Sequence, residues 1–284
     1  THIDSFGVNT EKIWDTLEVL KFKWQSLIEL EFVALAPLEY WSTKEGNLMA
    51  SKIAAKSGLL GTVITPPFER SIIYDSIIQM LELANRLNCA LDIHIDESQE
   101  YPAAGIKQLI RALDDFKCHV PITCSHASSM SLLHSRELTV ISEQLAKHEV
   151  QVVALPLTNA WLLGRHPSKT PFERPLAPIY QLQKAGVDVS VGGDNVQDPW
   201  LPIGNFDPIS LMSFSVPIAH LTPWTRLGLA PFTTAPARLM SLNWDGIIDV
   251  GGPADLMLLE ASSWAEALSS PPSREIFIKG ELLN

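Results

Sequence analysis

Three cysteines in 284 residues, Cys89, Cys118 and Cys124, make an odd number with no CxxC pair. That pattern excludes a disulfide framework and suits free thiols in a reducing compartment. No apolar run reaches the length of a membrane span. The opening Thr1-His2-Ile3-Asp4 lacks the basic and apolar regions of a signal peptide, so the cytoplasm is the expected location. Basic residues are few: 21 Lys and Arg face 32 Asp and Glu, for a net charge of -11, with no Lys/Arg cluster. Nucleic acid and acidic membrane surfaces are therefore excluded as partners, since both require a basic face. There is no G-x-S-x-G elbow of a serine hydrolase and no P-C-x-x-C of a nucleoside-type zinc deaminase. Lys56-Ser57-Gly58 and Gly192-Gly193 match neither Gly-rich phosphate loop.

What is present is a βα rhythm. With 46% hydrophobic and 19% charged residues the chain is globular, and its length fits one barrel-sized domain. Short β-rich runs recur at 1–4, 32–37, 61–66, 90–96, 120–126, 150–156 and 187–194. Helical periodicity lies between them at 72–87, 106–116, 130–148 and 178–185; Ile73, Ile77, Leu81 and Ala84 share one face. Such alternation predicts βαβ units and a parallel sheet. Seven strands are counted where a closed parallel barrel needs eight. The eighth is either hidden near 214–221 or absent before Thr1. The fold expected is α/β, a (β/α)8 TIM-type barrel over residues 1–243 that starts one strand late. Residues 244–284 read as the remnant of a small β-sandwich. There a turn at 246–253 lies between short strands, and strands at 254–260 and 275–279 are joined by the polar link Ser269–Ser273.

Functional side chains of a βα barrel gather at the C-terminal ends of its strands. Three ends are loaded. Residues 90–97 finish in His94 and, in the following loop, Glu97; 122–126 finish in His126; 189–194 finish in Asp194 behind two glycines. Singly, each has an ordinary reading as a rim histidine, a solvated carboxylate or a turn former. Together they suit metal-assisted hydrolysis. Imidazole and carboxylate bind a borderline divalent metal with a position left for water. A nearby Glu can move a proton, and a second His can hold the hydroxide or oxyanion. His134, His148 and His166 fall in helices or loops and His119 at the wrong end of a strand, so none is read as a ligand; His220 is left undecided.

Four blocks then carry a resemblance: His94-Ile95-Asp96-Glu97, Ser125-His126-Ala127-Ser128, Pro156-Leu157-Thr158-Asn159 with Leu163-Gly164-Arg165, and Gly193-Asp194-Asn195-Val196-Gln197-Asp198-Pro199-Trp200. In this order they resemble the cytosine deaminase branch of the metal-dependent amidohydrolase superfamily. Thr233-Thr234-Ala235-Pro236-Ala237-Arg238 and Gly251-Gly252-Pro253-Ala254-Asp255-Leu256 look like its closing helix and its return to a small β-sandwich. The resemblance implies His94 and Asp194 as metal ligands, Glu97 as proton shuttle and His126 as the residue orienting the attacking water. Asp194 would also accept a proton, and Trp200 would wall the pocket. Zinc or iron is the implied metal, a small heterocycle the implied substrate, and a homo-oligomer the implied assembly.

Two departures qualify it. The family's first strand carries His-x-His, and this sequence has no H-x-H; Thr1-His2-Ile3-Asp4 resembles the family's second strand instead. No metal role is carried onto His2, and a site of His94 and Asp194 alone is expected to hold its ion weakly or not at all. Where the family has Pro-Gln to read a pyrimidine edge, this chain has Pro37-Leu38, and Asn195 stands where the cytosine enzymes have a second Asp. The function expected is hydrolysis of a C–N bond in a cyclic amidine-like substrate, a substituted pyrimidine or triazine rather than cytosine. Leu38, Asn195 and Trp200 are the candidate substrate contacts. A dihydroorotase-like reaction is disfavoured because Ile64-Thr65-Pro66-Pro67 holds no bridging Lys. The alternative from another class is a non-catalytic barrel lacking the His-x-His ligands.

Overall fold

A computed structural model describes residues 1–270 and 272–283. Pro271, inside the expected Ser269–Ser273 link, lies outside them. The described residues form one seven-stranded parallel sheet in sequence order: β1 (His2–Asp4), β2 (Val33–Leu35), β3 (Leu59–Ile64), β4 (Leu91–Ile95), β5 (Ile122–His126), β6 (Gln151–Ala154) and β7 (Val189–Val191). The intervening helices are α1 (Thr10–Trp24), α2 (Lys44–Ala55), α3 (Arg70–Leu87), α4 (Ala104–Asp115), α5 (Ser135–Lys147), α6 (Pro156–Leu162) and α7 (Ile179–Ala185). On α3 the predicted face of Ile73, Ile77, Leu81 and Ala84 is buried, joined by Met80 and Leu83.

The sheet is rolled. Three strand spacings of about 4.8 Å would hold β1 and β4 side chains roughly 14 Å apart on a flat sheet. Instead, the rings of His2 on β1 and His94 on β4 lie 4.4 Å apart. Side chains of one parity therefore converge inside the curve, while Leu91, Ile93 and Ile95 of β4 pack outward with the helices in one continuous core.

Past β7 come α8 (Pro208–Ala219) and α9 (Thr234–Leu239). The strand considered near 214–221 is thus α8. Its start explains why: the Asp207 side chain accepts from Ile209 N at 3.0 Å as an N-cap, and Pro208 occupies the first turn. Helices α1, α2, α6 and α8 lie outside the segments read as helical, as does the short helix at Trp264–Ser269. The C-terminal residues form β8 (Leu256–Leu259), α10 (Trp264–Ser269), β9 (Arg274–Ile278) and β10 (Glu281–Leu282). Their antiparallel sheet, ordered β10-β9-β8, is separate from the barrel strands. The turn at 246–253 leads into β8, but no strand precedes it, a correction to the expected strand–turn–strand.

One ion pair ties this small sheet to the barrel. Arg274 Nη1 and Nη2 reach Asp207 Oδ1 and Oδ2 at 2.5 and 2.8 Å, with both side chains largely covered. The guanidinium holds the Asp207 carboxyl down at about 2 from an ordinary 3.8. A depressed carboxylate stabilises the fold fully above its ordinary value and ceases to do so as pH falls through its folded value. Arg274→Ala is expected to remove about 1.5–3 kcal/mol of attachment and to speed limited proteolysis within residues 256–282, with the barrel still resistant. In the unaltered chain the same acceleration should appear only below about pH 4, as the linkage requires. Equal proteolysis of the two chains at neutral pH would remove the pair as the tether.

Candidate active site

Strand alternation and register set the first half of the site. Parallel pairing places Asp92 beside Thr123 and His94 beside Ser125, and side chains two apart share a face. Asp92, 7% exposed, accepts from Ser125 Oγ at 2.8 Å, and His2 Nε2 lies 3.5 Å from the same carboxyl oxygen. His94 sits above this pair, beside His2.

His126 reaches the site by breaking the alternation. Its register partner is Ile95, which faces the helices. At His126, φ is 71°, and at Ala127, 50°, so the chain leaves β5 through two left-handed residues. Such backbone costs about 1–3 kcal/mol at a non-glycine and persists only where surroundings hold it. The turn swings the imidazole inward, to 4.9 Å between its ring centre and that of His94. On α6, Asn159 Nδ2 lies 3.0 Å from His126 Nδ1. An amide nitrogen only donates, so Nδ1 accepts and neutral His126 carries its proton on Nε2, which is buried without a protein partner.

Asp96, another left-handed residue, organises the loop after β4. Its fully buried carboxylate accepts from Gly105 N and Ile106 N, both at 2.8 Å, and so caps α4. Its carbonyl accepts from Ser128 Oγ and Ser129 N, which joins the β4 and β5 loops. Glu97 then stands over the cluster, with Oε1 3.6 Å from His126 Nδ1. Burial, and secondarily the charge of Asp194, push the Glu97 carboxyl up to about 7.

Ligand atoms of His94, His126 and Asp194 all fall within 4.8 Å of one another. Burial, then neighbouring His2, lowers His94 to about 4; burial, then His94, lowers His126 to about 3. Both rings are neutral at pH 7, as metal coordination requires. Burial likewise raises Asp194. His94 Nδ1 is buried without a partner. One imidazole and one carboxylate as ligands, His94 and Asp194, with the second imidazole of His126 beside them, fit a divalent ion of the zinc or iron type.

Leu38 begins a short 3-10 turn and is packed in the core at 3% exposure. Asn195 donates to Asp198 Oδ2 at 2.7 Å, leaving its carbonyl oxygen as an acceptor. Trp200 is 59% exposed on the β7 loop. Sequence reading gave no role to Asp92, although its position two before His94 on a strand was the available signal. Asn159 belongs to the Pro156-Leu157-Thr158-Asn159 block, and only the folded α6 brings it to His126. His119, His134, His148 and His166 lie outside the cluster; His148 pairs with Asp114 on the helix layer.

The family pattern described as "Amidohydrolase family" matches residues 50–280. The chain belongs to that family. A pterin deaminase of Rhizobium rhizogenes is 30% identical across 100% of the chain and 65% of its own length. An N-isopropylammelide isopropyl amidohydrolase of a Pseudomonas species is 24% identical across 98% of the chain and 66% of its own length. The chain thus spans about two thirds of these relatives. Among solved structures, 5-methylcytosine deaminase from Klebsiella pneumoniae, liganded with phosphonocytosine, superposes with a TM-score of 0.84. It covers the whole chain and 70% of that protein at 22% identity. The rolled sheet therefore has the fold of that deaminase.

If Asp96 organises the loop, Asp96→Ala should lower stability by about 2–6 kcal/mol, since two buried N–H donors lose their acceptor at about 1–3 kcal/mol each. Asp96→Asn, which keeps one acceptor, should lose roughly half of that. Urea unfolding midpoints measure both, and a loss under about 1 kcal/mol for Asp96→Ala would mean that water replaces the carboxylate.

Proposed function

We propose that this barrel belongs to a metal-dependent hydrolase that cleaves a C–N bond at an amidine-like ring carbon and releases ammonia or an amine. The convergence of His94, His126 and Asp194 beside the raised carboxyl of Glu97 carries the reading. His94 and Asp194 would hold a zinc or iron ion, which when bound activates water and polarises the substrate. His126 orients the attacking water through its Nε2 proton and then supports the oxygen as it bonds to the ring carbon. Glu97 takes a proton from the water and delivers it to the departing nitrogen, a transfer suited to a pKa near the working pH. Asp194 accepts the second proton and passes it to the adjacent ring nitrogen, so that both carboxylates end the turnover as they began. Water thereby supplies the new C–O bond and the amine leaves protonated.

The relatives' names support a heterocycle: a pterin and an ammelide each carry an exocyclic nitrogen on a ring amidine carbon. A substituted pyrimidine or triazine is our reading, with cytosine disfavoured. Leu38 would present no polar group to the ring edge, Asn195 would offer a neutral acceptor, and Trp200 an aromatic wall. Residues 244–284 are read as part of a small β-sandwich. The absence of H-x-H favours one other reading, a barrel without catalysis.

Two ligands hold a metal weakly where a catalytic site normally has three. The 284-residue chain is therefore expected to retain well under one metal equivalent after dialysis; a tightly held full equivalent by elemental analysis would contradict the ligand set. Assays should include any residues encoded before Thr1. Glu97→Gln should keep the metal and lose about 10²–10⁴-fold in turnover, whereas Asp194→Ala should lose both. In a substrate panel, alkylamino-substituted rings should exceed cytosine in kcat/KM, and Leu38→Gln should raise cytosine turnover. Cytosine ranking first by about tenfold, a ratio within reach of a single apolar contact, would sink the substrate reading. Metal binding with no turnover of any ring would favour the non-catalytic barrel.

A further inference from the structure

The Leu163-Gly164-Arg165 motif takes no part in the chemistry above. It opens the loop 163–178 between α6 and α7, and that loop is closed on itself. Gly164, at φ +71°, packs so near the Glu173 carbonyl that a Cβ would collide with it. Its N–H donates to Gln99 Oε1 beyond β4, and a β-bridge joins His166 to Lys169. Between this loop, α6, the β7 loop and α8 lies a cavity of about 300 Å³.

Its lining has two characters. Leu157, Ala160, Ile203 and Ile218 give it apolar walls, while Arg165, Lys169 and Arg174 ring it with positive charge. No Asp or Glu lines it. Among the described residues none of these three cations has a carboxylate within 4.0 Å, Glu173 beside Arg174 included. In a chain of 32 acidic and 21 basic residues, three uncompensated cations around one cavity create a local positive potential that an anion would relieve. The Arg165 guanidinium lies 4.9 Å over the Trp161 ring. Stacking holds its plane and leaves the fork of N–H groups free to grip a carboxylate or phosphate with two bonds.

Size and place narrow the occupant. A volume of about 300 Å³ is at the small end of ligand sites and admits a single ring or a short chain. Leu157, Ala160 and Trp161, at helical spacing on α6, line the cavity, whereas Asn159 on the same helix reaches His126. The helix stands between the two places, so the occupant is a separate molecule and not a tail of the ring at the cluster. We propose that the cavity behind α6 binds a small organic anion, one carboxylate or phosphate carried on an apolar ring or short chain.

The test uses the 284-residue chain in EDTA, which keeps metal from capturing the anion. Benzoate and phenyl phosphate are titrated by calorimetry and ligand-observed NMR, with benzamide as the uncharged match. Benzoate should bind at least about tenfold more tightly than benzamide, and should weaken several-fold as salt rises from about 20 to 300 mM, because the cations are exposed to screening. Arg165→Gln/Lys169→Gln/Arg174→Gln should lower benzoate affinity at least about tenfold with an unchanged circular dichroism spectrum, since charge-assisted bonds are lost. His94→Ala should leave it unchanged. Benzamide equal to benzoate, affinity kept in the triple variant or lost in His94→Ala, or no binding of either anion at millimolar concentration would each overturn the assignment. Should the triple variant misfold, the benzoate–benzamide and salt comparisons on the unaltered chain decide. No turnover enters the readout, so failure here leaves the proposed hydrolysis untouched.

Discussion

β4 and β5 run in parallel with His94 beside Ser125 and Ile95 beside His126. In that register a regular strand would send His126 into the helix layer, one position out of phase with His94. The left-handed exit at His126 and Ala127 corrects the phase, and the rest of the mouth is built around holding it. Asp96 binds the β4 loop to α4 and to Ser128 and Ser129, just past the turn. Asn159 meets the reoriented imidazole from α6. A change at Ser128 or Asp96 therefore acts on His126 through the backbone, without touching its ring.

The electrostatics of the cluster follow from the same enclosure. Burial pushes imidazoles down and carboxyls up, so each group is drawn towards its neutral form. A bound cation reverses this preference for the carboxylates and keeps the imidazoles unprotonated. Under the proposed function, one enclosed setting would serve both the ligands and the proton carrier, with Glu97, about a quarter exposed, at the edge.

The barrel was legible because its buried strands are short apolar runs separated by strong helical periodicity, and because His94, His126 and Asp194 end three of those runs. What was not legible has physical causes. α1 buries only Thr10 and Trp14, so its pattern carries no clean apolar stripe. The stretch containing α8 is mostly apolar, with Ser210, Ser213 and Ser215, and reads as strand or helix alike; the cap at Asp207 decides it. The inward turn of His126 depends on contacts between loops distant in sequence. The positive cavity was invisible for a related reason. Arg165, Lys169 and Arg174 are spread over ten residues, and only the pinned base at Gly164 and Glu173 gathers them.

Asp207 does two things with one carboxylate: it starts α8 and it grips Arg274. It also lies thirteen residues beyond Asp194 on the same connection, so the mouth loop is moored at its far end by the C-terminal sheet. A change at position 207 or 274 alone would consequently leave the other without its partner. A recombination junction between them that joins segments of two relatives would leave each partner facing a stranger. Swapping the C-terminal segment, which looks like exchanging a peripheral appendage, would loosen the loop that carries Asp194.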